Sequence, residues 1–323
     1  MNVVAGQRTT LDVRLERGPL MLSGIVTSAM RTSRVATTVN VLSAEQIRTI
    51  PARETQDLLC EIPGVELRTS SLVGGSAQIV SIRGVDEGRT AVVFDGIPIN
   101  DAWGEWIDWG RVPKALLDRV DVLEWGGSNL YGNGAMGGVI SFFAHPIVPG
   151  SYQLQLDGGS RDAKHAFASA GIPLTGALTA MVSGDYLDGD GYRMIAPVNA
   201  GPVDHESVIA SRNGMARLEY VPSRRVSTFA SGNFYNDDRD LGTTLAHTNR
   251  DDKRMTVSAD VDAEACGTLA LHGWNGVLVE DQFASAVSPA VGRTDERQTS
   301  WQHIPTHDWG ASVEWARSGI FGL

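Results

Sequence analysis

Gly132, Gly134 and Gly137 spell G-x-G-x-x-G, a spacing that lets backbone approach the pyrophosphate of a dinucleotide. That chemistry needs a helix directly after the glycines, so that its N-terminus meets the phosphates. Instead the chain continues into Val139-Ile140-Ser141-Phe142-Phe143, a β-prone run ending near Pro146, so a nucleotide-dependent oxidoreductase is set aside. His303 and His307 are four residues apart, but Pro305 between them spoils a helical metal-binding face. Cys60 and Cys266 stand alone, without metal-site or disulfide spacing. No G-x-S-x-G, H-E-x-x-H or paired C-x-x-C occurs, so the chain is not expected to be an enzyme. Asp185, Asp188 and Asp190, with Asp237, Asp238 and Asp240, offer hard oxygen ligands that suit a structural Ca²⁺; the alternative is solvated loop carboxylates. No other cofactor or metal is expected.

Charge narrows the partners. The 27 Lys and Arg against 38 Asp and Glu give a net of -11, which argues against a phosphate-binding surface and hence against nucleic acid. No apolar run approaches the ~20 residues of a membrane helix. A membrane β-barrel stays open, because its strands alternate and leave hydropathy near neutral.

The glycines sit among short elements that must position them. Ala36 to Leu42 reads as a strand, and Ser43-Ala44-Glu45-Gln46 as a capping box opening a helix that Pro51 ends. A second helix over Glu54 to Cys60 places Leu58, Leu59 and Ile62 on one face before Pro63-Gly64 turns the chain. Later strands are read at Val65 to Arg68, Ile79 to Arg83, Thr90 to Asp95, Val120 to Glu124 and Val139 to Phe143. A small mixed sheet with two or three short helices accounts for this order.

Several of these segments resemble the plug domain of TonB-dependent outer-membrane receptors. Ser81-Ile82-Arg83-Gly84 is similar to that family's S-I-R-G, Asp95-Gly96-Ile97-Pro98-Ile99-Asn100 to its D-G-x-P-x-N turn, and Asp118-Arg119-Val120-Asp121-Val122 to its E-R-V-E-V strand. Leu130-Tyr131-Gly132 and Gly137-Gly138-Val139-Ile140 resemble its L-Y-G and G-G-V-I; Asp118 and Asp121 replace glutamates, and Trp125 stands where Arg is common. The resemblance implies that Arg83 and Arg119 pair with glutamates on an inner barrel wall; the other reading is that both satisfy carbonyls inside the plug. The resemblance also implies that Ile25-Val26-Thr27-Ser28-Ala29 is a TonB box, captured by the energy-transducing TonB protein through strand addition, where the main chain supplies the affinity. An ordinary linker strand is the other reading of that segment. Asp101, Trp103, Trp106 and Trp109 fall in the loop the family places at the plug apex beside Ser70 to Ser76. Aromatic faces with nearby acids suit an amphipathic ligand such as a siderophore chelate or a cobalamin. Packing of these rings as plug core is the alternative.

From Gly150 the pattern has period two. Tyr152, Leu154 and Leu156 alternate with Gln153, Gln155 and Asp157; Ala216-Leu218-Tyr220, Val257-Ala259-Val261 and Trp309-Ala311-Val313-Trp315 repeat the scheme, with Arg217, Glu219, Asp260, Asp262 and Glu314 on the other face. Apolar outward to outer-membrane lipid and polar inward to a wet lumen explains it, and a soluble sandwich would alternate likewise. Connections are expected short at Pro173 to Gly176 and Pro222 to Arg225, and long and polar at Asp188 to Ser207, Asn236 to Asp252 and Ala284 to Glu296.

The fold class expected is an α+β plug domain followed by antiparallel transmembrane β-barrel strands, mostly β, in an incomplete barrel. Residues 1–20 read as the tail of a preceding regulatory-like β-domain or linker, 21–35 as the TonB-box segment, 36–147 as the plug and 148–323 as the first 8 or 9 barrel strands. An eight-stranded barrel is filled by its own side chains and cannot enclose a plug, so the chain is expected to be a fragment with two unpaired sheet edges. Met1 to Leu15 shows no basic segment followed by an apolar one, so no signal peptide is read there. The implied function is TonB-dependent transport of a scarce small-molecule ligand across the bacterial outer membrane, the plug facing the periplasm within the barrel. Rival readings are a soluble plug-like binding module and a structural outer-membrane barrel.

Overall fold

The computed structural model describes residues 38–52, 54–69, 78–85, 87–124, 133–289 and 292–317. The segments 1–20 and 21–35 with the expected TonB box at Ile25 to Ala29, the Ser70 to Ser76 loop, Trp125 and Leu130-Tyr131-Gly132 lie outside the described residues.

Two bodies succeed one another along the chain. The first is built on β1 (Thr38–Ser43), α1 (Ala44–Thr49), β2 (Val65–Thr69), β3 (Gln78–Ile82), β4 (Thr90–Phe94), β5 (Ile97–Pro98), β6 (Leu117–Glu124) and β7 (Gly138–Ala144). Its main sheet has the order β1-β6-β7-β4-β5, with β4 and β7 parallel, while β2 and β3 form a separate hairpin. The capping box forms as expected: the Gln46 amide donates to Ser43 Oγ and the Ser43 amide to Gln46 Oε1 at 2.9 Å. The second helix differs, since Thr55–Glu61 winds as 3₁₀. Confined between Pro51 and the Pro63-Gly64 turn, so short a segment takes the tighter winding. It still turns Leu58, Leu59 and Ile62 into the core with Ile47, Val120 and Phe142. Each such fully buried side chain contributes about 1.5–3 kcal/mol.

Asn133–Ala135 is a single 3₁₀ turn and Gly138 opens a strand, so no helix succeeds the glycine motif. Gly138 is there for closeness: at φ 148 a Cβ would lie 2.4 Å from the Leu123 carbonyl oxygen of the neighbouring strand.

The second body is one antiparallel sheet of eight strands, each paired with its sequence neighbour: β8 (Tyr152–Gly158), β9 (Lys164–Pro173), β10 (Leu178–Arg193), β11 (Glu206–Ser223), β12 (Val226–Thr243), β13 (Ala246–Asp262), β14 (Thr268–Val287) and β15 (Glu296–Ala316). Strand length climbs from 7 residues in β8 to 21 in β15. The sheet curls against the plug without closing, leaving β8 and β15 as its edges. Val257, Met255, Val313, Trp309 and Trp315 are exposed on the outer face, while Arg217, Glu219, Arg250, Asp252 and Arg254 are buried on the inner one. Period-two patterning thus assigns the faces as the sequence indicated.

Connection lengths need correcting. The sheet has tight turns at 174–177 and 224–225, as expected, but Asn236 to Asp252 is no loop: β12 and β13 stay paired to a two-residue turn at Thr244-Leu245. Polar side chains on both faces hide the strand signal there, yet the backbone ladder runs through Asp240 and His247. The other two long connections shrink to 194–205 and 288–295.

Candidate functional site

The seam between plug and wall is where charge concentrates. The β4–β5 turn presents Asp95 and Gly96, both at positive φ as a two-residue hairpin turn requires. It sits against the wall: the Arg217 guanidinium binds Asp95 Oδ2, and a Cβ on Gly96 would lie 3.2 Å from the His272 ring. Arg250 of β13 binds Asp108, and Arg239 of β12 donates to Glu54 at 3.2 Å. In the opposite sense Arg111 of the plug reaches Asp252 of β13 at 2.6 Å. Arg254 donates to the Pro98 carbonyl at 3.1 Å, and Asn213 to the Gly110 carbonyl at 2.8 Å. A small apolar contact joins these polar ones, Leu116 packing with Phe167, Met181 and Met215. Burial pushes the Glu54 carboxyl above its usual range, with Arg239 pulling the other way.

Arg83 and Arg119, expected to pair with glutamates on an inner barrel wall, have acidic partners within the plug among the described residues. Arg83 pairs with Glu124, and Arg119 with Asp121 at 3.0 Å while lying 4.2 Å over the Phe143 ring. Both partners are plug residues on β6. The crossing arginines come instead mostly from the wall, and only Arg217 among them was read from the sequence, as an inward-facing side chain without a partner.

The tryptophan loop divides by burial. Trp103 is 49% exposed and meets Trp106 edge to face at 5.0 Å, while Trp109 is buried against Phe142 at 6.2 Å. Asp101 is buried and accepts from the Trp103 and Gly104 amides at 2.9 and 2.6 Å, so it shapes the loop. Trp103 and Trp106 therefore remain as an open aromatic face, whereas Asp101 and Trp109 do not belong to it. A three-residue spacing aligns side chains only on a helix, and residues 101–108 are turn and irregular backbone, with Glu105 at φ 58.

The acidic residues considered for calcium are also separated. Asp185 lies on the inner face, 2.9 Å from His165 Nε2, whose Nδ1 is 2.9 Å from Asp157. Asp188 and Asp190 have the opposite parity on β10 and face outward. Among the described residues no group of three metal-ligating side chains converges. His165 borders a cavity of about 890 Å³ between α1, the Lys114 turn and β8 to β10, with Arg48, Gln153 and Gln155 on its walls.

Above the wall, Asp204 of the 194–205 connection binds Arg293 of the 288–295 connection through both oxygens, at 2.6 and 2.5 Å. Hydrogen bonding from Arg293 holds the Asp204 carboxyl down at about 2. Leu245 at the β12–β13 turn donates to Glu296, so three connections are stitched together.

Residues 31–139 match the family described as "TonB-dependent Receptor Plug Domain". The chain is 29% identical over 148 residues to the vitamin B12 transporter BtuB of Vibrio vulnificus (strain CMCP6), covering 43% of this chain and 24% of that protein. The fold is similar to the ferric citrate transporter FecA in its unliganded form, with TM-score 0.65 at 16% identity over 86% of this chain and 43% of that one. It is also similar to the siderophore receptor PirA from Acinetobacter baumannii, with TM-score 0.61 at 18% identity over 83% and 43%. The chain thus spans about a quarter of the curated relative and under half of each solved structure.

Proposed function

Starting from a TonB-dependent receptor plug in the N-terminal third and barrel strands behind it, we propose that the chain supplies the plug and first wall of an outer-membrane receptor for TonB-driven uptake of a small-molecule ligand. The observation that carries this reading is the seam. A plug seated on buried arginines and carboxylates is fixed by contacts that water can replace, which suits a body that must move aside. The outer face, with Val257, Met255, Trp309 and Val313 exposed, suits lipid contact with aromatic residues at its borders.

Trp103 and Trp106 are the ligand face in this reading, and the ligand class is that of the relatives: a ferric siderophore, ferric citrate or a cobalamin. Ile25 to Ala29 is the segment TonB takes up as an added strand. The chain itself makes and breaks no covalent bond.

The test has two arms. Titrating the lipid-inserted chain with ferric enterobactin, ferric citrate and cyanocobalamin should quench tryptophan fluorescence for one of them, and Trp103→Ala should abolish the quenching. A purified TonB C-terminal domain should bind the chain, and Val26→Pro should weaken that binding, because proline removes a main-chain donor. No quenching by any of the three, together with no TonB binding, would overturn the proposal.

A further inference from the structure

Among the described residues five arginines cross the seam, and each holds partners in both bodies. Arg239 donates from Nη2 to Glu54 of the plug and from Nε to Asp237 of its own wall strand at 2.6 Å. Arg250 binds Asp108 of the plug and Glu280 of β14 at 2.8 Å. Arg254 takes the Pro98 carbonyl of the plug and Asp308 of β15 at 3.0 Å. Arg217 takes Asp95 of the plug and lies 3.8 Å over the Phe229 ring of β12. Arg111, the one on the plug side, reaches Asp252 of the wall and keeps Asp108 and the Ile99 carbonyl of its own body, at 3.1 and 3.0 Å. These guanidiniums are all at most 9% exposed.

We propose that this double pairing is a release device: each crossing arginine carries a resident partner, so the plug can leave the wall without stranding a buried cation. Breaking a buried ion pair is costly chiefly because it leaves one charge uncompensated. Here separation exchanges a two-partner arginine for a one-partner arginine, and that cost is largely avoided. The resident acids also compete for the same guanidinium in the docked state, so they weaken docking as well as cushion its loss. Asp237 Oδ1 has no hydrogen-bond partner among the described residues, which leaves an oxygen free to take up Arg239 more fully.

The inference rests on the proposed movement of the plug relative to the wall, but its test reads docking alone and needs neither ligand nor TonB. The lipid-inserted chain is pulled from its N-terminus in a single-molecule instrument, and the plug release rate is measured at constant force. Asp252→Asn and Asp95→Asn remove crossing partners and should speed release by about 10-fold. Glu280→Gln and Asp308→Asn remove resident partners of Arg250 and Arg254 and should slow it by a comparable factor. Wall integrity is checked in each variant by circular dichroism, and the two acids in each class guard against one variant failing to fold. Opposite signs for the two classes support the proposal. Faster release from all four variants, or no change in the resident class, would overturn it while leaving the transport reading untouched.

Discussion

The plug is held together and held in place by different physics. Its interior is apolar: Ile47, Leu58, Leu59, Val120, Ile140 and Phe142 are at most 1% exposed and pack around one sheet. Among the described residues its seam with the wall is dominated by guanidiniums and carboxylates, with apolar contact around Leu116. Apolar packing is lost only when atoms separate from all their neighbours, whereas a charge can trade one partner for another. The contrast teaches that folding of the plug and its seating on the wall answer to different changes, lost apolar volume for the one and lost charge for the other.

The largest way to break that contrast is through the core. Phe142→Ala should destabilise the plug by about 3–5 kcal/mol, read by denaturant unfolding with Trp109 as the neighbouring fluorophore, while the wall transition stays in place. A change at the seam should be smaller and should move docking instead of plug folding. Arg250→Ala leaves Glu280 without its cation and Asp108 with Arg111 alone, and should weaken docking by about 2–3 kcal/mol, measured as protease access to the β4–β5 turn. Equal loss of plug folding in that variant would erase the distinction between interior and seam.

Two pH effects sharpen it further. Asp204 is held below its ordinary value, so the clasp it forms with Arg293 should be fully present above about 3.8 and be lost as pH falls through about 2. Asp204→Asn should flatten that dependence in hydrogen exchange of the 194–205 connection. Glu54 has the reverse sign. Its folded value is raised above 4.5, so its contribution to docking is complete below that value and is lost as pH rises through the folded value. Glu54→Gln should remove that slope and cost docking no more than ~0.5 kcal/mol at neutral pH, the smallest effect of the series.

What the sequence made legible was local. Ser43 with Gln46, the Asp95-Gly96 turn and the parity of Arg217 against Leu218 each depend on neighbours within a few positions, and each appears in the structure as read. Partnership across the seam was not legible, because Arg217 and Asp95 are 122 positions apart and only the closed assembly chooses between Asp95 and a nearer acid. Arg83 and Arg119 were read against a full barrel wall, whereas within these residues the acids beside them lie on β6 of the plug. The β12–β13 arm was missed because alternation reports a one-sided apolar environment, and this arm carries polar side chains on both faces. Gly242 at φ 87, two residues ahead of the turn, was the available signal. Trp109 was grouped with Trp103 by spacing alone, and the absence of a helix between them sent it inward.

Wall strands that lengthen from 7 to 21 residues cannot end at one height. The rim they form is stepped, low beside β8 and tall beside β14 and β15, where the Asp204–Arg293 clasp ties the 194–205 and 288–295 connections together.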